Sequence, residues 1–294
     1  MELYPIYDEN VQISSNIWYS ISGLGESPFM RVGHTIVHTK SSISNDENDK
    51  GKLYVIGGAN PSGSFNDVYV FDLNSLSWDK FEDLANFENG RYEHSCFSLN
   101  NSHIYLFAGS NENEIFNDLI MFDINEKNMQ KIVSNGSNGP SARTLHNGCT
   151  YKNQLIVYGG GLNGKTPVND QNLYIYNAVN NKWISINCRK NESSQIPANR
   201  HGHVMINLND EYIYLHGGMN EDTLFDDLWL LDMKNLSWKQ VDFDRSNSYP
   251  CERAAHGGIS INNDLFIFGG ISKSGSALDD LWKFDTGIFI FFFL

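Results

Sequence analysis

The chain lacks the features of several protein classes. Its formal net charge is −14, with 21 Lys and Arg against 35 Asp and Glu. Binding to nucleic acid or to an anionic membrane surface depends on dense positive charge, so the composition argues against both. The longest apolar run, residues 288–294, is far shorter than the ~18 residues that a membrane-spanning helix needs. We therefore expect no nucleic-acid partner and no direct membrane insertion.

Cysteine is scarce, and its spacing has no metal-binding pattern. The four cysteines lie far apart and form no C-x-x-C pair. The first ten residues carry acidic side chains and Pro5, whereas a secretory signal has a basic stretch and an apolar run. Thiols stay reduced in the cytosol. The sequence therefore predicts a cytoplasmic protein without disulfides.

Motifs of nucleophilic and metal-dependent catalysis are also missing. The chain has neither the G-x-S-x-G elbow of hydrolases nor the H-E-x-x-H helix of metalloproteases. The cluster Gly159–Gly161 closes an apolar run, but no helical pattern follows it, so we interpret it as a turn. We predict a non-enzymatic protein without catalytic residues, cofactor or metal.

One unit recurs five times along the chain. Each copy contains an apolar run that ends in a pair of small residues, in steps of 51, 51, 58 and 52 residues. The small residues are Gly57 and Gly58, Ala108 and Gly109, Gly159 and Gly160, Gly217 and Gly218, and Gly269 and Gly270. Such self-similarity at a period of about 50 residues is the signature of a repeat architecture.

Two further markers keep the same phase. An Arg-x-x-His precedes each apolar run: Arg31/His34, Arg91/His94, Arg143/His146, Arg200/His203 and Arg253/His256. A large apolar residue follows each run, seven positions before a Trp or its substitute: Phe71/Trp78, Phe122/Met129, Tyr176/Trp183, Leu231/Trp238 and Phe284/Phe291. Three markers in register five times establish the repeat, with copies at about 31–83, 91–134, 143–188, 200–243 and 253–287.

Each copy is predicted to form four short antiparallel strands, a to d. Strand a follows the His, strand b is the apolar run, strand c alternates apolar and polar residues, and strand d carries the Trp. Strand b is apolar almost throughout, as expected for a strand buried on both faces. Stacking such units leaves only short sheet edges. The sequence therefore predicts an all-β propeller with five recognisable four-stranded blades, forming one domain over 1–287.

The repeated polar residues favour a structural role. Five histidines at one repeated position are spread over five blades, whereas zinc needs its ligands around a single point. The repeated Arg and the acid before strand c should emerge on the same edge, which predicts Arg–Asp pairs with Asp67, Asp118, Asp227 and Asp280. Repeat three carries Asn172 at that place. The alternative is a set of arginines that grips an acidic ligand.

Selectivity is expected in the b–c loops, because they differ in every copy. The candidate partner-binding residues are Asn60, Phe65, Asn111, Phe116, Asn163, Glu221, Phe225 and Lys273. The three phenylalanines share one repeated position, so they could equally pack between blades.

These markers resemble those of the kelch-repeat family. The segments GKLYVIGGANPSGSFNDV (51–68), RYEHSCF (91–97) and RHGHVM (200–205) are most similar to its Rab-effector members. The resemblance covers about 18–285. It implies a six-bladed kelch-type propeller that binds a GTP-bound Rab GTPase as a monomer, is recruited peripherally to endosomal membranes, and acts in endosome-to-trans-Golgi transport.

The resemblance ends at the last residues. Beyond Asp285 the expected strand d and the family's sixth blade are replaced by an apolar tail, 288–294. The segment 16–22 is a candidate closing strand that would pair with strand c of the last blade.

Two other function classes stay open. The first is another kelch adaptor, such as a cytoskeletal protein or a ubiquitin-ligase substrate receptor. The second is a kelch-fold enzyme, for which His201, His216 and Cys188 are candidate non-repeated groups, although they are scattered among the repeats.

Overall fold

The computed structural model describes residues 3–6, 18–40, 48–81, 84, 87, 89–136, 138–163, 166–188, 195–246 and 248–294. The chain comprises two compact units, residues 1–132 and 133–294. The described residues contain β-strands and turns, and none of them lies in a helix that could span a membrane.

Five four-stranded antiparallel sheets, one for each repeat, make up most of the structure. Each has the strand order a-b-c-d. The first unit contains Thr35–Thr39, Lys52–Ile56, Val68–Asp72 and Ser77–Phe81 in repeat one, and Ser95–Leu99, His103–Phe107, Leu119–Asp123 and Asn128–Ile132 in repeat two.

The second unit contains the other three sheets. Their strands are Asn147–Tyr151, Gln154–Tyr158, Asn172–Asn177 and Lys182–Asn187 in repeat three, Val204–Asn207, Tyr212–His216, Leu228–Asp232 and Ser237–Gln240 in repeat four, and Gly257–Ile261, Asp264–Phe268, Leu281–Asp285 and Ile290–Phe293 in repeat five.

Short two-stranded sheets complete the set. In the b–c loops they are Ala59–Asn60 with Gly63–Ser64, Gly161–Asn163 with Thr166–Pro167, and Met219–Asn220 with Thr223–Leu224. They give three of these loops a hairpin shape.

The turn between strands c and d has the same cause in all five repeats. An Asp or Asn at the end of strand c accepts hydrogen bonds from backbone amides two and three residues further on, which closes an Asx-type turn. The residues are Asp72, Asp123, Asn177, Asp232 and Asp285. This local signal is readable in the sequence and sets the register of strand d.

The last residues differ from the expectation of an aberrant tail. Ile290–Phe293 pairs antiparallel with Leu281–Asp285 and forms strand d of repeat five. Asp285 supplies the turn, and Phe291 is 2% exposed at the place that Trp238 occupies in repeat four. Phe291 therefore takes the place of the Trp in the last sheet, as Met129 does in repeat two.

The expected closing strand is also placed differently. Trp18–Ile21 pairs in parallel with Leu3–Ile6, whereas both edges of Leu281–Asp285 are occupied by strands b and d of its own repeat. The expectation that 16–22 pairs with strand c of the last blade is therefore wrong for the described part, 18–21. The next residues bond strand d of repeat one, where the Leu24 carbonyl accepts a bond of 2.6 Å from the Trp78 amide.

Neighbouring sheets within each unit pack face to face. In the second unit, one apolar cluster joins repeats three and four and another joins repeats four and five. In the first unit, a third cluster joins repeats one and two. Burial of these faces is the main stabilising contribution, because an isolated four-stranded sheet leaves both apolar faces in water.

Each such repeat joint also contains two backbone hydrogen bonds. At the joint of repeats four and five, the Gly218 amide donates to the Arg253 carbonyl at 2.9 Å, and the Ala255 amide donates to the Gly202 carbonyl at 2.7 Å. The equivalent bonds are Gly160 to Arg200 and Gly202 to Leu145, and Gly58 to Arg91 and Glu93 to Gly33. The paired glycines thus receive the Arg-x-x-His segment of the next repeat.

Candidate functional site

The repeated arginines are held by carboxylates inside the repeats. In repeat four, Arg200 Nη1 donates to Asp227 Oδ1 at 2.6 Å and to the Gly217 carbonyl at 2.9 Å, while Nη2 donates to Asp227 Oδ2 at 2.9 Å. The same two-pronged arrangement joins Arg31 to Asp67, Arg91 to Asp118 and Arg253 to Asp280. These are the four expected pairs.

Repeat three has an ion pair that the sequence analysis missed. Arg143 Nη2 donates to Asp170 Oδ2 at 3.0 Å and to Ser141 Oγ at 3.2 Å. Asn172, the expected substitute, instead begins strand c. Asp170 lies 27 residues after its Arg, as do Asp118, Asp227 and Asp280. Counting from the Arg would have identified it, because repeat three has a longer segment between this acid and strand c.

The loop phenylalanines support these arginines. Phe65, Phe116 and Phe225 lie beneath Arg31, Arg91 and Arg200, with 4.2, 4.2 and 4.1 Å from guanidinium carbon to ring centroid. A guanidinium over an aromatic face gains a cation–π attraction. Phe116 is 8% exposed. The rings are therefore part of the fold, and the hypothesis that they are exposed anchors is wrong for Phe116.

In repeats four and five a tryptophan adds to the ion pair. Trp229 Nε1 donates to Asp227 Oδ2 at 2.6 Å, and Trp282 Nε1 donates to Asp280 Oδ2 at 2.6 Å. The hydrogen bonds from Arg253 and Trp282 hold the pKa of Asp280 below its usual value. The sequence analysis did not single out these tryptophans, although an Asp-x-Trp pattern at the start of strand c marks both.

Four of the five repeated histidines, His94, His146, His203 and His256, are buried, whereas His34 is only partly buried. In the joints, the rings of His94, His203 and His256 lie 3.0, 2.8 and 2.9 Å from where a Cβ on Gly57, Gly159 or Gly217 would be. These glycines thus have no room for a side chain.

His146 of repeat three has the same position within its repeat as the other four histidines. It is 4% exposed, and its Cβ lies 2.8 Å from where a Cβ on Gly160, the second glycine of its own repeat, would be. The same contact recurs in the other repeats, where the Cβ atoms of His34, His94, His203 and His256 lie 2.9, 2.7, 2.8 and 2.8 Å from where a Cβ on Gly58, Gly109, Gly218 or Gly270 would be.

Burial keeps the imidazoles at the joints neutral. Desolvation, followed by the nearby Arg91, lowers the pKa of His94 to about 3. His216, whose Nδ1 lies 3.1 Å from His256 Nε2, has a pKa lowered to about 3 by burial and by Arg253 and Arg200. A neutral ring packs at the joint without the cost of burying a charge.

The thiol of Cys96 is not activated by its surroundings. Burial raises the pKa of Cys96 to about 12, and a thiol in this state is a poor nucleophile. Among the residues that the structure describes, no group of three His, Cys, Asp or Glu side chains could hold a metal ion.

The sequence contains one pattern that matches a phosphate-binding loop. The letters of 159–166, GGGLNGKT, match the G-x-x-x-x-G-K-T form of a phosphate-binding loop. In such a loop a helix follows and points its N-terminus at the phosphate. Here Thr166–Pro167 instead pairs with Gly161–Asn163 in a hairpin. In the described residues that follow, 166–188, there is no helix, whereas phosphate binding by such a loop requires one.

The remaining loop candidates differ in accessibility. Asn60 Oδ1 accepts from the Ser62 amide, and Asn111 Oδ1 accepts from the amides of Asn113 and Glu114, so both side chains shape their own turns. Glu221 and Lys273 are exposed. The side chain of Asn163 lies outside the described residues. The accessible side chains of the b–c loops thus include polar and charged residues and also Leu162 and Ile271, which are 40% and 46% exposed.

The repeated glycines and tryptophans lie inside the sheets and joints. Trp183 is buried against Tyr176 in strand c of its own repeat, and Trp238 is buried against Tyr158 in strand b of the preceding repeat, while Trp78 is partly buried against Phe71. Positive φ angles occur at Gly57, Gly58, Gly109, Gly159, Gly160, Gly217, Gly218, Gly269 and Gly270. These repeated glycines and tryptophans are therefore part of the sheets and of their packing.

Comparisons with known proteins agree with this repeat pattern. The model of the KLHDC2/KLHL20/DRC7 Kelch-repeats domain matches residues 47–270. The chain is 33% identical over 234 residues to "Rab9 effector protein with kelch motifs" of Xenopus laevis, which covers 79% of this chain and 61% of that protein. The protein of the same name from Homo sapiens is 33% identical over 231 residues, covering 78% of this chain and 59% of that protein.

A more distant relative is "Tip elongation aberrant protein 1" of Schizosaccharomyces pombe, which is 29% identical over 65% of this chain and 17% of that protein. The chain spans about three-fifths of the Xenopus laevis and Homo sapiens relatives. The matched family and the five four-stranded sheets confirm the predicted fold class, and the chain belongs to the kelch-repeat family of all-β propeller proteins.

Proposed function

We propose that this chain is a non-catalytic protein-binding scaffold that recognises a GTP-bound Rab GTPase. The observation that carries the proposal is its identity of 33% over 234 residues with a relative that is named a Rab9 effector. By the same similarity we propose that it acts in the cytoplasm in endosome-to-trans-Golgi vesicle transport, recruited to endosomal membranes by its partner.

Many repeated side chains are already engaged in contacts within the fold, which supports binding through the b–c loops. The arginines are held by carboxylates, and the loop phenylalanines of repeats one, two and four lie beneath guanidinium groups. Residues engaged in this way cannot also grip a partner without breaking the repeat. Exposed loop side chains such as Glu221 and Lys273 have no such role and differ between repeats, which suits selective contacts.

The test is a binding measurement with purified Rab proteins. The immobilised chain is exposed to Rab9 and to a panel of other Rab proteins, each loaded with GTP or with GDP. We expect one GTP-bound Rab to bind at least about tenfold more tightly than its GDP form, which corresponds to about 1.4 kcal/mol. Absent binding, or equal binding of both forms across the panel, would contradict the proposal.

A pair of charge reversals tests the contact face. Glu221→Lys changes an exposed b–c loop, whereas Glu126→Lys makes the same change in an exposed c–d turn at the other end of a blade. We expect the loop variant to weaken Rab binding and the turn variant to leave it unchanged. The reverse result would place the contact on the c–d end.

A further inference from the structure

The segment that links repeats four and five, residues 241–252, carries an arginine that breaks the repeat pattern. This residue, Arg245, stands outside the five Arg-x-x-His motifs. The repeated arginines are held inside the fold, and their side chains are at most 3% exposed. The side chain of Arg245 is 45% exposed. Because binding residues of a repeat fold lie where its copies differ, Arg245 is a candidate contact residue.

The side chain of Arg245 is held in one orientation although it is exposed. Its Nη1 donates to Asp226 Oδ2 at 2.6 Å and its Nη2 donates to Asp226 Oδ1 at 3.3 Å. Its guanidinium carbon lies 4.5 Å from the ring centroid of Phe243 and 4.9 Å from that of Tyr249. The ion pair and the two aromatic rings thus fasten the linking segment to the b–c loop of repeat four, which ends at Asp226.

The backbone on both sides of Arg245 is also fixed. Asp244 Oδ1 accepts bonds from the amide of Ser246 at 2.8 Å and from its hydroxyl at 2.6 Å, which closes a turn with Arg245 at its tip. Phe243 packs edge to face against Phe291 of repeat five, with 5.0 Å between the ring centroids. The turn is therefore anchored in the apolar cluster that joins repeats four and five.

The stability of the fold does not account for this arrangement. An ion pair between side chains as exposed as those of Arg245 and Asp226 contributes little to the free energy of folding, because water screens it. A side chain that is already held in one conformation loses less entropy when a partner binds. Arginine and tyrosine are also enriched among the residues that dominate binding at protein interfaces. Arg245 thus has the properties of a pre-organised contact residue.

The surroundings of Arg245 define the chemistry of a partner that fits. A guanidinium has more N–H groups than the two that bond Asp226, so it can donate to a further acceptor oxygen. Exposed acidic side chains lie beside it in the linking segment, at Asp242 and Asp244, and in the b–c loop, at Glu221. A fitting partner therefore presents an acceptor oxygen that is bordered by basic side chains.

We infer that Arg245 anchors the partner of this chain at the end of repeat four, where the b–c loop and the linking segment meet. This inference rests on the proposed function, so the partner is the GTP-bound Rab GTPase. It presents a carboxylate or a carbonyl oxygen to the guanidinium of Arg245, and basic side chains to Glu221 and Asp242. A Rab protein without that oxygen would bury N–H groups unpaired, so Arg245 also contributes to selectivity.

The test measures the affinity of variants of the full chain for the GTP-bound Rab that the unaltered chain retains. Arg245→Ala should raise the dissociation constant at least about tenfold, as expected for an anchor residue. Arg245→Lys keeps the positive charge but loses the planar fork of donors. Its affinity should lie between those of Arg245→Ala and the unaltered chain.

Two further variants separate a direct contact from support of the loop. In Asp226→Ala the two rings still hold Arg245, so binding should weaken less than in Arg245→Ala. Lys234→Ala removes an exposed positive charge from the c–d turn of the same repeat and should leave binding unchanged. We expect unaltered unfolding midpoints for all of these variants, because the side chains that are changed are exposed or partly exposed.

The possible results distinguish this inference from the proposed function. Equal binding by Arg245→Ala and the unaltered chain would overturn the inference and leave the proposed function standing. Equal losses in Arg245→Ala and Asp226→Ala would show that Arg245 only supports the loop, which also overturns the inference. If the unaltered chain retains no Rab protein, the proposed function is wrong and the inference fails with it.

Discussion

Repeats four and five are built alike but differ in what covers them. Both have four antiparallel strands, an Arg held by two bonds to an Asp, and a Trp that bonds the same Asp. On the face that points away from the preceding repeat, however, Ile206 of repeat four is 5% exposed and Ile259 of repeat five is 59% exposed.

The difference shows that some contacts form within a single repeat, whereas others require a neighbouring repeat. The Arg–Asp pair and the Asx-type turn are closed by residues of the same repeat, so each copy forms them alone. The packing of the glycine pair and of the apolar sheet face needs an Arg-x-x-His segment from outside the repeat. The same glycine pair and apolar face can therefore be covered by a neighbouring repeat in one copy and exposed in another.

The largest expected effect on the unfolding free energy is at the first glycine of the pair, Gly217 in repeat four and Gly269 in repeat five. Gly217→Ala should destabilise the protein by about 3–4 kcal/mol, because the methyl group meets the next repeat and the φ of this residue is positive. Gly269→Ala has a similar φ but an open socket, so about 1–2 kcal/mol is expected from backbone strain. Urea unfolding measures both, and equal losses would break the comparison.

A second contrast concerns the apolar face. Ile206→Ala removes a buried side chain from the joint and should cost about 3 kcal/mol. Ile259→Ala changes an exposed side chain and should cost less than about 1 kcal/mol in dilute protein. Chemical denaturation measures both unfolding free energies. A cost at Ile259 that matches the cost at Ile206 would contradict the comparison.

Removal of the Arg–Asp ion pair should lower the unfolding free energy by similar amounts in repeats four and five. Asp227→Ala and Asp280→Ala each leave a buried guanidinium without its partner, and about 3 kcal/mol is expected for both, reduced somewhat by the partial exposure of the carboxylates. Asp170→Ala should cost less, about 1–2 kcal/mol, because Arg143 keeps Ser141 and loses a single bond. Chemical denaturation checks the order, which a larger loss at Asp170 would contradict.

The smallest expected effect is a pH dependence of the joint between repeats four and five. The pKa of His216 is lowered to about 3 in the folded chain, so the unfolded chain binds the proton first and the unfolding free energy falls as the pH drops below about 6.5. From pH 7.5 to 5.5 one such histidine contributes a loss of about 1.4 kcal/mol.

His216→Phe tests this contribution with the residue that repeats two and five carry at the equivalent positions, 107 and 268. The variant should lose less stability between pH 7.5 and 5.5 than the unaltered chain, by about 1.4 kcal/mol. An unchanged pH dependence would mean that His216 is already accessible to protons in the folded state.

The sequence was sufficient for everything that a repeat forms by itself. The period, the four strands and four of the five Arg–Asp pairs follow from markers in fixed register. The pair of Arg143 with Asp170 was missed because the acid was placed relative to strand c, and repeat three has extra residues there.

What could not be predicted depends on neighbours across the fold. No local pattern shows that Phe116 packs beneath Arg91 or that Trp18–Ile21 pairs with Leu3–Ile6. The apolar tail lacks the polar residues of the other strands d, and its role follows only from the Asp285 turn and the pocket that receives Phe291.

Amide hydrogen exchange at the second glycine of each pair tests the central claim most directly. The Gly218 amide, bonded to the Arg253 carbonyl at 2.9 Å, should exchange slowly. The Gly270 amide, which donates to no backbone carbonyl among the described residues, should exchange rapidly. Equal protection of both amides would contradict the account.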